Sequence, residues 1–182
     1  MTKTALITGI EMCRAYNRQY DTKFIPVMPT NLYGPNDNFD LKTSHVLLAL
    51  IRKFHEAKQD RADTVTVWGS GSPKREFLHV DELADTCCFL MNMDFPQEEY
   101  KNNPLYNIGT GTDISIKELA ELIRDITGFK GHITFDTSKP DGTPRKLLDV
   151  SRMQTLAWKP HISLAEGIRQ TYDWYKTEVL LG

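Results

Sequence analysis

Thr64-Val-Thr-Val-Trp-Gly-Ser-Gly-Ser-Pro-Lys-Arg-Glu-Phe-Leu-His-Val-Asp-Glu-Leu-Ala-Asp-Thr-Cys-Cys-Phe-Leu90 moves from one structural period to another within 27 residues. Thr64–Trp68 is β-branched and aromatic, as a strand requires. Gly69 to Pro73 stops it with turn-forming residues. Glu76–Val80 reads as a second short strand, and Asp81 is placed to cap a helix running through Leu83, Ala84, Cys87, Cys88 and Leu90. Strands followed at once by helices indicate an α/β chain with mainly parallel pairing.

Working outward toward the amino terminus, Thr4–Gly9 is an unbroken apolar and β-branched run and reads as a buried strand. Ile10–Tyr20 has helical spacing, and Lys23–Pro29 is a strand whose internal Pro26 marks an edge or a bulge. Thr30–Thr43 is rich in Asn, Asp, Gly and Pro and reads as a loop. A helix over Ser44–Ala57 carries an apolar stripe at Val46, Leu47, Leu50, Ile51 and Phe54. Toward the carboxy terminus come a strand at Leu105–Ile108, capping boxes at Ser115/Glu118 and Ser163/Glu166, a strand at His132–Phe135 and a polar loop, Asp136–Arg145.

The formal net charge of −2 over 182 residues excludes an electrostatic footprint for nucleic acid or a polybasic membrane surface. No apolar run reaches the roughly 20 residues of a membrane span. The first residues lack the apolar core of a signal peptide, so a cytoplasmic protein is expected. Cys13, Cys87 and Cys88 have no C-x-x-C spacing and the five histidines have no ligand spacing, so no metal is expected.

Several stretches could carry chemistry. Gly9 lies between a strand and a helix, but Met12 and Ala15 stand where a dinucleotide-binding turn wants its further glycines, so it reads as a plain turn. Pro29-Thr30-Asn31-Leu32 closes a strand, where α/β sheets bind ligands; Gly34-Pro35 equally makes it a simple turn. Trp68 and Arg75 flank a flexible loop and suit a nucleotide, through indole stacking and bidentate phosphate contact. Read alone, they also fit a core tryptophan and a solvated charge. Asp141 is placed either to accept from sugar hydroxyls or to form a Pro-Asp-Gly turn. His45 opens a helix and stands alone.

Taken in order, these pieces resemble a known family. Ala15–Tyr20 (AYNRQY), Val27–Pro35 (VMPTNLYGP), Val67–Gly71 with Arg75–Asp81 (REFLHVD), and Ser138–Val150 (SKPDGTPRKLLDV) are similar to the carboxy-terminal half of GDP-L-fucose synthases, within the extended short-chain dehydrogenase/reductase family. The resemblance implies part of a Rossmann-type parallel sheet (residues 1–34 and 76–112) and a smaller α/β substrate domain (35–75 and 113–182). It implies NADP(H) as cofactor, with Pro29, Thr30, Asn31 and Leu32 near its nicotinamide end. His45 corresponds to the acid of the epimerisation and also to a cofactor-side residue. Lys53, Trp68, Arg75 and Asp141 correspond to contacts of a GDP-sugar, and self-association is expected.

The same correspondence puts Thr2 and Leu6 where the family has the tyrosine and lysine of its Tyr-x-x-x-Lys pair, and Cys13 does not match the family's cysteine. The expectation is therefore weak or absent catalysis and poor cofactor binding. Met1–Ile10 is instead similar to the opening of GDP-mannose 4,6-dehydratase, as a deletion fusion would produce.

Overall fold

A computed structural model describes residues 3–179. In chain order the elements are α1 (Lys3–Tyr20), β1 (Val27–Pro29), β2 (Asn31–Tyr33), α2 (Val46–Gln59), β3 (Thr64–Trp68), β4 (Lys74–Arg75), β5 (Phe77–His79) and α3 (Val80–Met91). They continue with α4 (Gln97–Asn102), β6 (Tyr106–Ile108), β7 (Ile114–Ser115), α5 (Ile116–Thr127), β8 (His132–Asp136), β9 (Arg145–Lys146), α6 (Ser151–Thr155) and α7 (Leu164–Trp174), with a π-helical turn at Tyr175–Val179.

The pairing is mostly parallel, as expected: β1 with β6, β2 with β5, β3 with β8 and β4 with β9, while β4 with β7 is antiparallel. β1 and β2 are successive halves of one extended run that changes partner at Thr30. Its amide donates to Ile108 O at 2.9 Å, toward β6, and its hydroxyl donates to Glu76 O at 3.2 Å, toward β5.

Two apolar cores result. One gathers Leu47, Leu48, Ile51 and Phe54 of α2, Val65 and Val67 of β3, Leu119 and Ile123 of α5, and Ile168 of α7. Residues at three- and four-residue spacing place one face of each helix inward. The other gathers Leu78, Leu90, Phe95, Tyr106 and Ile108 with Met153 and Trp158, the last two arriving from α6 and the chain just after it.

Four expectations are corrected. Thr4–Gly9 is not a strand but the beginning of α1, which is continuous from Lys3. A strand needs a neighbour for every second backbone group, whereas a helix already nucleated downstream extends on its own hydrogen bonds. Ala5 and Ile7 are accordingly exposed, and Gly9, inside the helix, has no other atom within 4 Å of a Cβ built on it. The loop expected at Thr30–Thr43 contains β2, because Asn31–Tyr33 finds Phe77–His79 across the sheet. The cap of α3 is His79, whose Nδ1 accepts from Asp81 N at 3.3 Å; Asp81 lies inside the first turn. At α7, Ser163 Oγ accepts from Glu166 N, but Glu166 Oε1 accepts from Gln170 Nε2, so only half of that capping box forms. The Ser115/Glu118 box is complete, and Gly128 ends α5 in the left-handed region at φ 74°.

Candidate functional site

Lys53, Trp68, Arg75 and Asp141 come from distant parts of the sequence and meet along one face. Lys53 lies on α2 and donates to Thr66 O at 3.1 Å; its Nζ lies 5.0 Å from the Trp68 ring centroid. Lys139 approaches the same ring at 5.9 Å. Trp68 is 61% exposed, so the core alternative for this indole is ruled out. Parallel register between β3 and β8 sets Trp68 beside Asp136, which brings the following loop, through Asp141, over the glycine turn.

Asp141 closes that turn. Its Oδ1 accepts from Ser70 N at 2.9 Å and its Oδ2 from Ser70 Oγ at 2.7 Å. These bonds hold its carboxyl below the usual aspartate range, so it remains an ionised acceptor. Gly69 adopts φ +84°, and a Cβ there would collide with Asp141 Oδ1; glycine is required by both backbone and space. Gly142, one residue beyond Asp141, brings the loop to Arg75, whose Nη2 would stand 3.0 Å from a Cβ there. Burial, meanwhile, pushes the Lys53 ammonium below its ordinary value.

Arg75 also lines a cleft of about 650 Å³ together with Asp113, Glu118 and the segment from Pro160 to Leu164. Asp113 pairs with Arg145, which anchors the far end of the polar loop.

Pro29, Thr30, Asn31 and Leu32 gather elsewhere, at the end of β1 and start of β2. Thr30, Asn31 and Leu32 line a recess of about 680 Å³ with Tyr33 and the exposed His45, the residue that precedes α2. Pro29, Thr30 and Asn31 line a second recess with Lys146, Leu147 and Leu148. The β1–β2 junction thus has His45 on one side and the Lys146–Leu148 segment on the other.

Sequence reasoning gave no role to Glu76, which the structure makes the hub of this region. It is fully buried. Its backbone carbonyl accepts from Asn31 Nδ2 at 2.7 Å, its Oε1 from Gly111 N at 2.7 Å, and its Oε2 from Leu148 N at 3.0 Å. A Cβ on Gly109 would collide with Oε1, so this glycine makes room for the carboxylate. The available signal was a lone acid at the head of the expected strand, beside the apolar Phe77-Leu78; in the structure Glu76 lies between β4 and β5. Asn17 is a second omission: it is fully buried, donates to Phe24 O and Tyr100 O, and accepts from Thr22 and Phe24 N.

Parallel strands alternating with helices, with recesses beyond their carboxyl ends, place the chain among Rossmann-type α/β folds. Residues 3–109 match the model of the NAD dependent epimerase/dehydratase family, and the chain belongs to that family. Among its relatives, GDP-L-fucose synthase 1 of Arabidopsis thaliana is 53% identical over 175 residues, 96% of this chain and 52% of that protein. A GDP-6-OMe-4-keto-L-xylo-heptose reductase from C. jejuni superposes with a TM-score of 0.84 at 40% identity, over 94% of this chain and 59% of that one. A GDP-L-fucose synthetase from Naegleria fowleri bound to NADP superposes at 0.83 with 28% identity, over 96% and 55%. The chain spans about half the length of the curated relatives it matches.

Proposed function

We propose that this chain is the sugar-nucleotide-binding part of a GDP-L-fucose synthase-type enzyme, and that by itself it binds a GDP-sugar without reducing it. The observation that carries this reading is the meeting of Lys53, Trp68, Arg75 and Asp141. The exposed indole offers a face for guanine to stack on, with Lys53 and Lys139 beside it. The Arg75 guanidinium offers paired donors for the diphosphate, and Asp141 an ionised acceptor for ribose or sugar hydroxyls. His45 and the Pro29–Leu32 junction form the side toward the ketone and the nicotinamide.

NADP(H) supplies hydride to the keto sugar in such an enzyme. The residues here fit it only in part. Pro29–Leu32 offers an edge, but Lys3–Tyr20 is one helix, so no strand-to-helix turn around Gly9 grips a pyrophosphate. Thr2 and Leu6, at the positions matched to the tyrosine and lysine, supply neither a phenolic proton nor a ribose-holding ammonium. We therefore derive no hydride step in this chain. The core around Leu78 and Ile108 is read as the cofactor-side unit and the core around α2, β3 and α5 as the sugar-side unit, with Met153 and Trp158 of the expected substrate range packing in the former and Tyr33 and Phe77 of the expected cofactor range in the latter. Three free thiols, Cys13, Cys87 and Cys88, suit a cytoplasmic setting. Among the described residues no helix is long and apolar enough to cross a membrane.

Calorimetry with GDP tests the binding. Arg75→Ala is expected to weaken it about 10–100-fold, the loss of a charged hydrogen bond worth roughly 1.5–3 kcal/mol. Trp68→Ala should remove about 1–3 kcal/mol of base stacking. Absent GDP binding, or equal affinity in both variants, overturns the nucleotide site. NADPH oxidation with GDP-4-keto-6-deoxymannose is expected to stay at background, and robust turnover by the purified chain overturns the non-reducing reading.

A further inference from the structure

Beside the cleft that Arg75 lines, Glu82, Asp85 and His161 converge where α3 meets the segment leading into α7. One ligand-type atom from each lies within 4.8 Å of those of the other two. Glu82 and Asp85 are three residues apart on α3, so their carboxylates share a face. His161 arrives from the other side of the seam.

The arrangement is anchored at its buried member. Glu82 is 3% exposed. Its Oε1 accepts from the amides of His161 at 2.7 Å and Ile162 at 2.6 Å, which fixes the plane of the carboxylate. Its other oxygen, Oε2, faces His161 Nδ1 at 3.8 Å and has no hydrogen-bond partner among the described residues. That separation is longer than the roughly 2.7–3.2 Å of a hydrogen bond to nitrogen. It is close to the about 3.4 Å between neighbouring ligands of a tetrahedral ion with bonds near 2.1 Å. Asp85 Oδ2, on the exposed side, is steadied by Trp158 Nε1 at 3.4 Å.

We propose that Glu82 Oε2, Asp85 and His161 Nδ1 bind one divalent cation of the zinc class, with water completing the coordination. A buried carboxylate oxygen facing an imidazole nitrogen is what a 2+ ion satisfies and a hydrogen bond does not. Mixed nitrogen and oxygen donors favour zinc over calcium or magnesium, which take oxygen sets. The ion would tie α3 to the Pro160–Leu164 segment, and that segment walls the cleft lined by Arg75. The ligands escape notice in the sequence because they combine a helical i, i+3 pair with a residue from a distant loop.

The test uses the full chain, tag-free and stripped of metal, titrated with zinc chloride against a chromophoric chelator. One equivalent is expected to bind, with a rise in melting temperature and, for cobalt(II), visible absorption of tetrahedral strength. His161→Ala and Asp85→Asn change exposed side chains and should fold, as circular dichroism will report; each is expected to weaken zinc at least about tenfold. Absent zinc binding, unchanged binding in both variants, or preference for calcium overturns the site. The proposal stands independently of the nucleotide reading.

Discussion

At the scale of single residues, two buried histidines make the fold sensitive to mild acid. His79 is 2% exposed: Nδ1 caps α3, and Nε2 has no hydrogen-bond partner among the described residues. Burial pushes its pKa below the ordinary histidine value, against the opposing pull of Asp81 and Glu82. His55, whose Nδ1 lies 3.0 Å from Tyr172 Oη, is pushed down by burial and by Lys58 and Lys176, with Glu56 opposing. Above about pH 6.5 both are neutral, folded or unfolded. Below it the unfolded chain takes up protons that the folded chain refuses, so stability falls with pH until the folded values are passed. Urea midpoints at pH 7.5 and 5.5 should differ, with a limiting slope of about 1.4 kcal/mol per pH unit for each histidine. His79→Asn keeps a capping acceptor and should flatten part of that slope; an unchanged slope in this variant assigns the acid sensitivity elsewhere.

At the scale of elements, local signals and the parallel sense of pairing were legible, and the identity of each strand's partner was not. Ser115 and Glu118 are three residues apart, and their reciprocal bonds are complete within one helical turn. Ser115→Ala is expected to cost about 1 kcal/mol, read as a lower thermal midpoint, since it frees the Glu118 amide at the start of α5. No measurable loss would mean that α5 is held by its packing alone. Thr4–Gly9 failed for the opposite reason: its apolar run fits either period, and the choice rested on whether a partner strand lies alongside. β2 was concealed by turn-forming neighbours, and two-residue strands such as β4 and β7 are too short to leave a pattern. The candidate site was legible to the extent that Trp68 and Arg75 flank a glycine-rich turn and Asp141 sits in a proline- and glycine-rich loop. Glu76 and Asn17 were not, since their roles depend on carbonyls and amides brought together only by folding.

At the scale of the whole molecule, α1 presents a face the rest of the chain does not cover. Met12, Tyr16 and Tyr20, at four-residue spacing on one side of the helix, are 46–59% exposed, and Phe24, just beyond the helix and packed on the Tyr16 ring, is 48% exposed. Asn17 and Arg18, on the opposite side, bind it to Tyr100 and Lys101 of α4. A contiguous apolar surface of this kind favours association. Sedimentation over rising concentration is expected to show self-association that Met12→Glu with Tyr16→Lys abolishes. A monomer at every concentration would remove α1 as an interface.

Glu76 links these scales. Its side chain receives the amides of Gly111 and Leu148, and its own carbonyl receives Asn31. Peeling away either amide segment would leave a buried carboxyl oxygen without its donor, so neither can loosen cheaply while the other stays. The rim around the β1–β2 junction should behave like a latch, fastened at all its points or at none, and the recesses that open onto it inherit that all-or-none character.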